Sequence, residues 1–296
     1  MAVPRVQGSE WIQVPSTTGT NGSRLPFAYL GPVRCQQVFA ASAFNALPSG
    51  GAYLTRIFLR TDCGSYNGWL VTNLQVNLST TSKGPDELTS LFSENVGDDE
   101  MIVFGPRNYI PPGRSDCGTF LHGKEINVER PFFYDPALGN LLMETRHENI
   151  SWKDEPFDPY NDYTKWVLSA QTVTGDPVSR IAAFSLSTNA AEIVETTGLT
   201  VRFQFDPVPS LTNWVTSSEV VIRWPTLPKT FSLQWADRLG TNTTWLPYTN
   251  PIVSGGLYQT VTIPKQEMDI SMYFRLAWED GPPIPQSGGS TNSPPP

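Results

Sequence analysis

The fold class follows from an alternating stretch in the first third of the chain, Trp69-Leu70-Val71-Thr72-Asn73-Leu74-Gln75-Val76-Asn77-Leu78. From Leu74 onward apolar and polar residues alternate, so Leu74, Val76 and Leu78 fall on one face of an extended strand. Alternation of this kind is typical of an antiparallel sheet with one buried face. The stretch therefore predicts a strand that covers a hydrophobic core.

Similar short strand signals recur through residues 28–206, separated by glycine and proline. They lie at residues 54–60, 101–104, 125–129, 141–146, 180–186 and 199–205. This pattern predicts an antiparallel, jelly-roll-like β-sandwich. One short helix is predicted over residues 86–92, because Pro85 and two acidic residues fit a helix start. Residues 1–27 are polar and rich in turn residues, and they are predicted to form an extended lead-in.

A second sandwich is predicted after Pro207 and Pro209, which end a strand and mark a boundary. Within residues 210–279, strand signals lie at 219–224, 230–235, 245–248, 259–263 and 272–278. Their number and spacing indicate a small immunoglobulin-like or fibronectin-III-like module that buries Trp224 and Trp235. Residues 280–296 are rich in proline, glycine and serine and are predicted to be a tail. The expected fold class is all-β throughout.

The composition supports this fold class and excludes several functions. Apolar residues make up 39% of the 296 residues and charged residues only 16%, which favours short strands over long surface helices. The net charge is −8, and Lys and Arg are scattered, so a nucleic-acid binder with a basic stripe is excluded. No apolar run is long enough to span a bilayer.

The N-terminus, Met1-Ala2-Val3-Pro4-Arg5, lacks the apolar segment of a secretory signal. The protein is therefore either cytosolic or the mature form of an exported protein with an added Met. The low content of charged residues and the many short strand signals separated by glycine and proline favour the second alternative. We expect a secreted or cell-surface protein.

Four segments carry a resemblance to a known type of domain. They are Arg34-Cys35-Gln36-Gln37-Val38-Phe39-Ala40, residues 72–79, residues 130–142 with the phrase Phe133-Tyr134-Asp135-Pro136-Ala137-Leu138-Gly139-Asn140-Leu141-Leu142, and Val178-Ser179-Arg180. Together they resemble an exported, PEP-CTERM-associated domain of environmental bacteria. Residues 233–237 and 273–276 are similar to the small sandwich module often appended to such proteins. The resemblance implies an extracellular, jelly-roll-like domain and brings no catalytic residues with it.

Three cysteines allow at most one intrachain disulfide. Cys63 and Cys117 both occur in Asp-Cys-Gly turns and form the preferred pair, whereas Cys35 precedes an apolar stretch and is predicted to be a buried small hydrophobe. Their spacing does not fit a zinc site. The two histidines, His122 and His147, are expected to have structural roles.

The stretch from His147 to Trp166 is the strongest candidate for binding, because it is polar yet holds five aromatic residues. Flat rings stack on sugar faces while Asp and Asn accept hydrogen bonds from hydroxyls, so this mixture suits carbohydrate. The alternative is a long loop that folds back and packs its rings on the core edge. The candidate ligand-binding residues are Trp152, Phe157, Tyr160, Tyr163 and Trp166.

The same stretch offers hard oxygen ligands of the kind that calcium prefers. The candidate metal ligands are Asp154, Asp158, Asn161 and Asp162, with Glu155 beside them. A second acidic cluster, Asp98-Asp99-Glu100, and Asp135 are further candidates. The alternative is that these acidic loops are simply solvated. Calcium is therefore a candidate cofactor and not a required one.

The expected function is non-enzymatic: an extracellular structural or adhesion protein that binds glycan or assembles with copies of itself. In the second case the lead-in would add a strand to a neighbour's sheet edge. The alternative is a glycoside hydrolase, since Glu125-Ile126-Asn127-Val128-Glu129 is similar to the E-x-D-x-E strand of jelly-roll β-glucanases. Against it, Asn127 replaces the middle acid, and a regular strand separates the two glutamates by about 13 Å. Retaining hydrolysis needs carboxyl groups about 5–5.5 Å apart.

Overall fold

The structure is a computed structural model that describes residues 9–17, 21–27, 29–60, 69–111, 124–152, 168–225, 231–240, 243–249, 251–255, 258–267 and 271–278. For Asn21, Trp69, Trp152, Glu267 and Trp278 it describes the backbone alone. In these residues every regular element is a strand or a short 3-10 turn, and all strand pairs are antiparallel. The predicted all-β class is confirmed. The described residues contain no helix with the length and hydrophobicity needed to cross a bilayer.

The chain folds as two compact units, and the larger one comprises Gly8–Pro207. Its strands are β1 (Glu10–Val14), β2 (Asn21–Ser23), β3 (Val33–Phe39), β4 (Ala52–Leu59), β5 (Trp69–Thr81), β6 (Met101–Tyr109), β7 (Lys124–Tyr134), β8 (Asn140–His147), β9 (Asn149–Trp152), β10 (Leu168–Thr172), β11 (Val178–Ala183), β12 (Ile193–Glu195), β13 (Thr197–Leu199) and β14 (Val201–Pro207). Short 3-10 turns lie at Ala41–Phe44 and Phe92–Glu94.

Two large sheets of this unit share one hydrophobic core. One sheet has the order β1-β14-β4-β7, and the other has the order β12-β11-β3-β8-β5-β6 with β9 also paired to β5. A third, small sheet has the order β13-β10-β2. One cluster of buried residues takes Leu54 and Phe203 from the first large sheet and Phe39 and Val76 from the second. The architecture is therefore β-sandwich-like, with the inner faces of both sheets turned toward one core.

Besides the strand around Leu74, six strands are predicted in residues 28–206. All six are present, since each overlaps an observed strand. The prediction of a separate lead-in over residues 1–27 is wrong for its described part. β1 pairs with β14 along its whole length, and Ile12 and Val14 of β1 lie in the core. Polar turn residues flank this strand, so the short alternation that contains Ile12 and Val14 does not stand out in the sequence. The pairing with β14 identifies it as a strand.

The helix predicted over residues 86–92 is also wrong. Asp86 has φ +63°, in the left-handed region that an α-helix excludes. Its backbone N–H donates to Ser179 Oγ at 2.7 Å instead of starting a helix. Leu88 and Phe92 pack against Val38 and other residues on the outer face of the six-strand path. This segment is therefore a cover over that sheet.

In the smaller unit, all described strands lie after Val208. Its strands are β15 (Thr212–Val215), β16 (Glu219–Pro225), β17 (Phe231–Ala236), β18 (Leu246–Pro247), β19 (Val253–Gly255), β20 (Tyr258–Pro264) and β21 (Tyr273–Trp278), and a 3-10 turn lies at Lys265–Glu267. They form two sheets with the orders β15-β16-β20-β19 and β18-β17-β21. Trp224 is buried as predicted, whereas Trp235 is only partly buried.

Candidate functional site

The ends of six strands lie at one end of the larger unit. Leu59, the last residue of β4, pairs with Lys124, the first residue of β7. Tyr109, the last residue of β6, pairs with Val71 of β5 and donates its hydroxyl hydrogen to the Glu125 carbonyl of β7 at 2.5 Å. These contacts bring strand ends of both large sheets together.

The remaining two strand ends join this group through backbone contacts. Trp152, the last residue of β9, lies opposite Trp69, the first residue of β5. The Ser169 N–H of β10 donates to the Arg60 carbonyl, which follows β4, at 2.9 Å. Three connecting segments, residues 61–68, 112–123 and 153–167, therefore all leave from the same end of the larger unit. We call it the loop end.

The sequence-predicted binding residues belong to these connections. Trp152 has only its backbone described, in β9 at the loop end. The other four predicted ligand-binding residues lie outside the described residues: Phe157, Tyr160, Tyr163 and Trp166. The four predicted metal ligands, Asp154, Asp158, Asn161 and Asp162, lie outside them as well.

The acidic residues proposed as further calcium ligands have other contacts. Asp99 Oδ1 accepts a hydrogen bond from the Thr80 N–H at 2.7 Å, and Glu100 Oε1 accepts one from Asn77 Nδ2 at 2.7 Å. Asp135 Oδ1 accepts one from the Ala137 N–H at 3.0 Å, as in an Asx turn. Within the described ranges no three acidic, histidine or cysteine side chains form a group suited to a metal ion.

Cys35 is a free, buried thiol in a small apolar cluster with Leu25, Val33 and Ala182. Burial raises its pKa to about 12, which keeps it protonated and unreactive. The prediction of a buried small hydrophobe is confirmed. The preferred disulfide partners, Cys63 and Cys117, lie outside the described residues.

His147 is fully buried at the end of β8. Its Nε2–H donates to the Pro26 carbonyl at 2.8 Å, and its ring stacks on Phe27 with 6.0 Å between centroids. Burial lowers its pKa, so the imidazole is neutral. The contacts with Pro26 and Phe27 fit a structural role. His122 lies outside the described residues.

The two glutamates of the hydrolase alternative lie on the outer face of β7, where each is neutralised by its own arginine. Glu125 Oε1 lies 3.3 Å from Arg56 Nη1, and Glu129 Oε1 lies 2.8 Å from Arg107 Nη1. Ile126 and Val128 alternate with them and are buried. β7 pairs regularly with β4 from Lys124 to Asn127, and the register shifts between Asn127 and Phe132, the stretch that contains Glu129. The two carboxylates pair with different arginines on this face.

Sequence reasoning missed a buried polar group on the outer face of the sheet that contains β3 and β8. Glu144 of β8 accepts hydrogen bonds from Arg34 Nη2 at 3.0 Å and from Gln36 Nε2 at 2.6 Å, and it also contacts Arg146. Asn95, fully buried in the covering segment, donates to Gln36 Oε1 at 3.0 Å. The only sequence signal was the presence of three polar residues in the short strand β3, all seven residues of which are buried.

A shallow depression of about 110 Å³ lies beside this cover, lined by Asp86, Leu88, Ser179, Arg180, Val194, Glu195 and Thr196. Arg180 and Glu195 form an ion pair there at 2.6 Å. Behind it, burial and the nearby Asp86 carboxylate raise the pKa of Asp176. Because Arg180 and Glu195 pair with each other, their charged groups are less available to a ligand in this depression. The depression is therefore a poorer binding candidate than the loop end.

Comparison with known protein families, with curated proteins and with solved structures finds no match.

Proposed function

We propose that the protein is a non-enzymatic, extracellular binding protein that contacts glycan at the loop end of its larger unit. The observation that carries this proposal is the convergence of six strand ends, from which three connecting segments leave. In sandwich proteins, binding residues typically lie on loops that are grouped at one end of a rigid scaffold.

The composition of these segments supports carbohydrate as the ligand. Residues 153–167 supply Phe157, Tyr160, Tyr163 and Trp166, and Trp152 precedes them at the end of β9. Aromatic rings offer flat apolar surface for sugar C–H groups, and the neighbouring carboxylates accept hydrogen bonds from hydroxyls. Asp154, Asp158, Asn161 and Asp162 are the residues that would supply oxygen ligands to calcium in this segment.

The finer fold assignment and the location are part of the same proposal. The two sheets around one core support a jelly-roll-like larger unit, and the two small sheets support an immunoglobulin-like smaller unit. The resemblance to exported PEP-CTERM-associated domains supports secretion or display at the cell surface. Both assignments are independent of the ligand.

Self-assembly into a filament or layer is a second candidate, favoured by the position of β1. This strand is at the edge of its sheet, so one of its sides has no strand partner within the described residues. An edge of this kind can add a strand from another copy. Electron microscopy of concentrated protein tests it, and monodisperse particles would contradict it.

The glycoside hydrolase alternative has less support, because Glu125 and Glu129 are each paired with an arginine on an open strand face. Its test is turnover of mixed β-glucans by the wild-type protein and by Glu129→Gln. Turnover that the substitution abolishes would replace the binding proposal with an enzymatic one.

A polysaccharide pull-down and a glycan array test the binding proposal. Trp166→Ala and Trp152→Ala should each weaken glycan binding by up to about tenfold, since stacking on a ring contributes on the order of 0.5–1.5 kcal/mol. The matched control is Trp11→Ala, a 44% exposed tryptophan on β1 of the same unit.

The results of these binding experiments distinguish glycan binding at the loop end from its absence. Loss of binding in the two loop-end variants but not in Trp11→Ala supports the proposal. A wild-type protein that binds no glycan, or three variants that bind equally well, would show that the loop end does not bind sugar.

A further inference from the structure

The outer face of the four-stranded sheet in the smaller unit has a regular arrangement of side chains. In β16, the half-buried Arg223 alternates with the buried Ile222 and Trp224, and it shares its side of the strand with Val221, which is 8% exposed. The strand registers extend this face across the sheet without shifts. Its members fall into three rows: Trp214, Val221 and Thr262; Thr212, Arg223, Thr260 and Val253; and Pro225, Tyr258 and Gly255.

Three of these residues form a diagonal line across the sheet, with Arg223 in the centre. Trp214 of β15 is one strand and one row away from Arg223, and Tyr258 of β20 is one strand and one row away on the other side. Diagonal neighbours in a sheet are about 7–8 Å apart, so the line is about 15 Å long. We call it the diagonal strip.

The diagonal strip is exposed at Trp214 and half-buried at Arg223 and Tyr258. Trp214 is 45% exposed and Val253 is 66% exposed. Thr212 and Thr262 are exposed, and Thr260 and Tyr258 are half-buried. The strip therefore combines one accessible indole, a phenol and a group of hydroxyls on a flat surface.

Arg223 is held in place by an aromatic contact. Its guanidinium lies over the Tyr258 ring, with 3.5 Å between Cζ and the ring centroid. Among the described residues no carboxylate forms an ion pair with it. A stacked guanidinium keeps its in-plane N–H donors available, and these match the two oxygens of a carboxylate.

We propose that the diagonal strip binds an acidic polysaccharide, with Arg223 taking the carboxylate of a uronate residue and Trp214 stacking on the neighbouring sugar. Thr212, Thr260 and Thr262 surround the arginine and can exchange hydrogen bonds with sugar hydroxyls. An extended chain fits a line of this length better than a compact ligand does. This site is independent of the glycan binding proposed for the loop end.

The smaller unit carries much less net negative charge than the larger unit. Residues 208–296 carry five basic and six acidic residues, so almost all of the net charge of −8 belongs to residues 1–207. The residues of the smaller unit themselves therefore oppose a polyanion only weakly.

Affinity electrophoresis of the full chain in gels that contain polygalacturonate tests this proposal. The uncharged comparator is the same polymer in fully methyl-esterified form. Arg223→Gln should weaken binding of polygalacturonate by about tenfold or more, since it removes a charge-assisted bidentate contact. The matched control is Arg238→Gln, which removes the same charge from an exposed position of the same unit.

Two more variants keep the test informative. Arg223→Lys retains the charge and should bind with intermediate affinity, and it also serves if Arg223→Gln does not fold. Trp214→Ala should weaken binding while the charge is unchanged. Trp166→Ala, at the loop end, should leave binding of polygalacturonate intact, which separates this proposal from the preceding one.

Several outcomes would overturn the proposal. They are no retardation of the wild-type protein, equal effects of Arg223→Gln and Arg238→Gln, equal binding of the methyl-esterified polymer, or equal binding of polyglutamate. Loss of binding in Trp166→Ala alone would assign the polysaccharide to the loop end and would leave the diagonal strip without a ligand.

Discussion

Glu144 of β8 and Arg34 of β3 form a buried ion pair, with 3.0 Å between Oε2 and Nη2 and a glutamate side chain that is 1% exposed. Arg34 Nη1 also donates to the Thr188 carbonyl at 3.2 Å, and Gln36 Nε2 donates to the Phe92 carbonyl at 3.0 Å. The polar group therefore connects two segments, the cover that contains Phe92 and the segment that contains Thr188, to one sheet face. Specific hydrogen bonds fix the position of each segment, which apolar packing alone would leave adjustable.

Removal of the Glu144 charge should destabilise the larger unit strongly. Glu144→Gln leaves Arg34 and Arg146 without their buried counter-charge, and the expected loss is about 3–5 kcal/mol in the free energy of unfolding. Urea denaturation followed by circular dichroism measures it. The control is Glu125→Gln, whose pair with Arg56 is 25% and 47% exposed and should contribute at most about 1 kcal/mol. Similar losses in both variants would contradict the structural role assigned to Glu144.

The stability of the larger unit should fall as the pH drops below about 6.5, where an unfolded histidine gains a proton. Burial lowers the pKa of His147 in the folded state, so only the unfolded state takes up this proton. The loss can reach about 1.4 kcal/mol per pH unit until the folded pKa is reached. Unfolding curves between pH 7 and pH 5 measure this slope.

The assignment of that slope to His147 has a direct control. His147→Gln should flatten the slope, whereas His122→Gln, which removes the other histidine of the chain, should retain it. A slope that disappears with His122→Gln would show that the proton uptake belongs to that residue.

Asp176→Asn should stabilise the protein at pH 7. The side chain of Asp176 is 9% exposed, Oδ1 accepts a hydrogen bond from the Val178 N–H at 2.9 Å, and Oδ2 has no hydrogen-bond partner among the described residues. Burial and the Asp86 carboxylate raise its pKa, so the folded protein loses stability as the pH rises through that value. The amide avoids this loss and keeps the contact with Val178.

The gain should disappear below about pH 4, where the wild-type carboxyl is protonated in both states. Thermal unfolding of both proteins at pH 7 and pH 3.5 measures the difference. Asp99→Asn is the control, because its exposed carboxylate only accepts from the Thr80 N–H and its stability should not change. A destabilised Asp176→Asn variant at pH 7 would contradict the prediction.

Gly105→Ala should destabilise the larger unit more than an ordinary positive-φ substitution. Gly105 has φ +70°, and a Cβ there would lie 2.0 Å from the Leu74 carbonyl oxygen, where the register of β5 and β6 shifts. The backbone must move, so we expect a loss of about 2–3 kcal/mol or more. Gly31→Ala is matched in φ, at +93°, but has no atom within 4 Å. Its cost should stay near 1 kcal/mol, and equal losses in the two variants would contradict the steric explanation.

Most strands were predictable from local sequence pattern, whereas some elements and the candidate site were not. The alternation around Leu74 and the regular return of glycine and proline predict strands, because side-chain period and turn chemistry are local properties. β1 and the helix-like segment at Asp86 were misread, since their conformations depend on β14 and on Ser179, each far away in the sequence. The loop end became visible only when the strand registers brought six ends together.

What the sequence alone determined is the all-β class and the burial of Trp224, because each depends on composition or on neighbours along the chain. What only the tertiary structure decided is which polar groups meet: Glu144 with Arg34 across two strands, and Arg223 with Tyr258 across two others. The reason is physical. A strand fixes which side of a sheet a residue faces, but the pairing of strands fixes what it contacts there, and that pairing is a property of the whole fold.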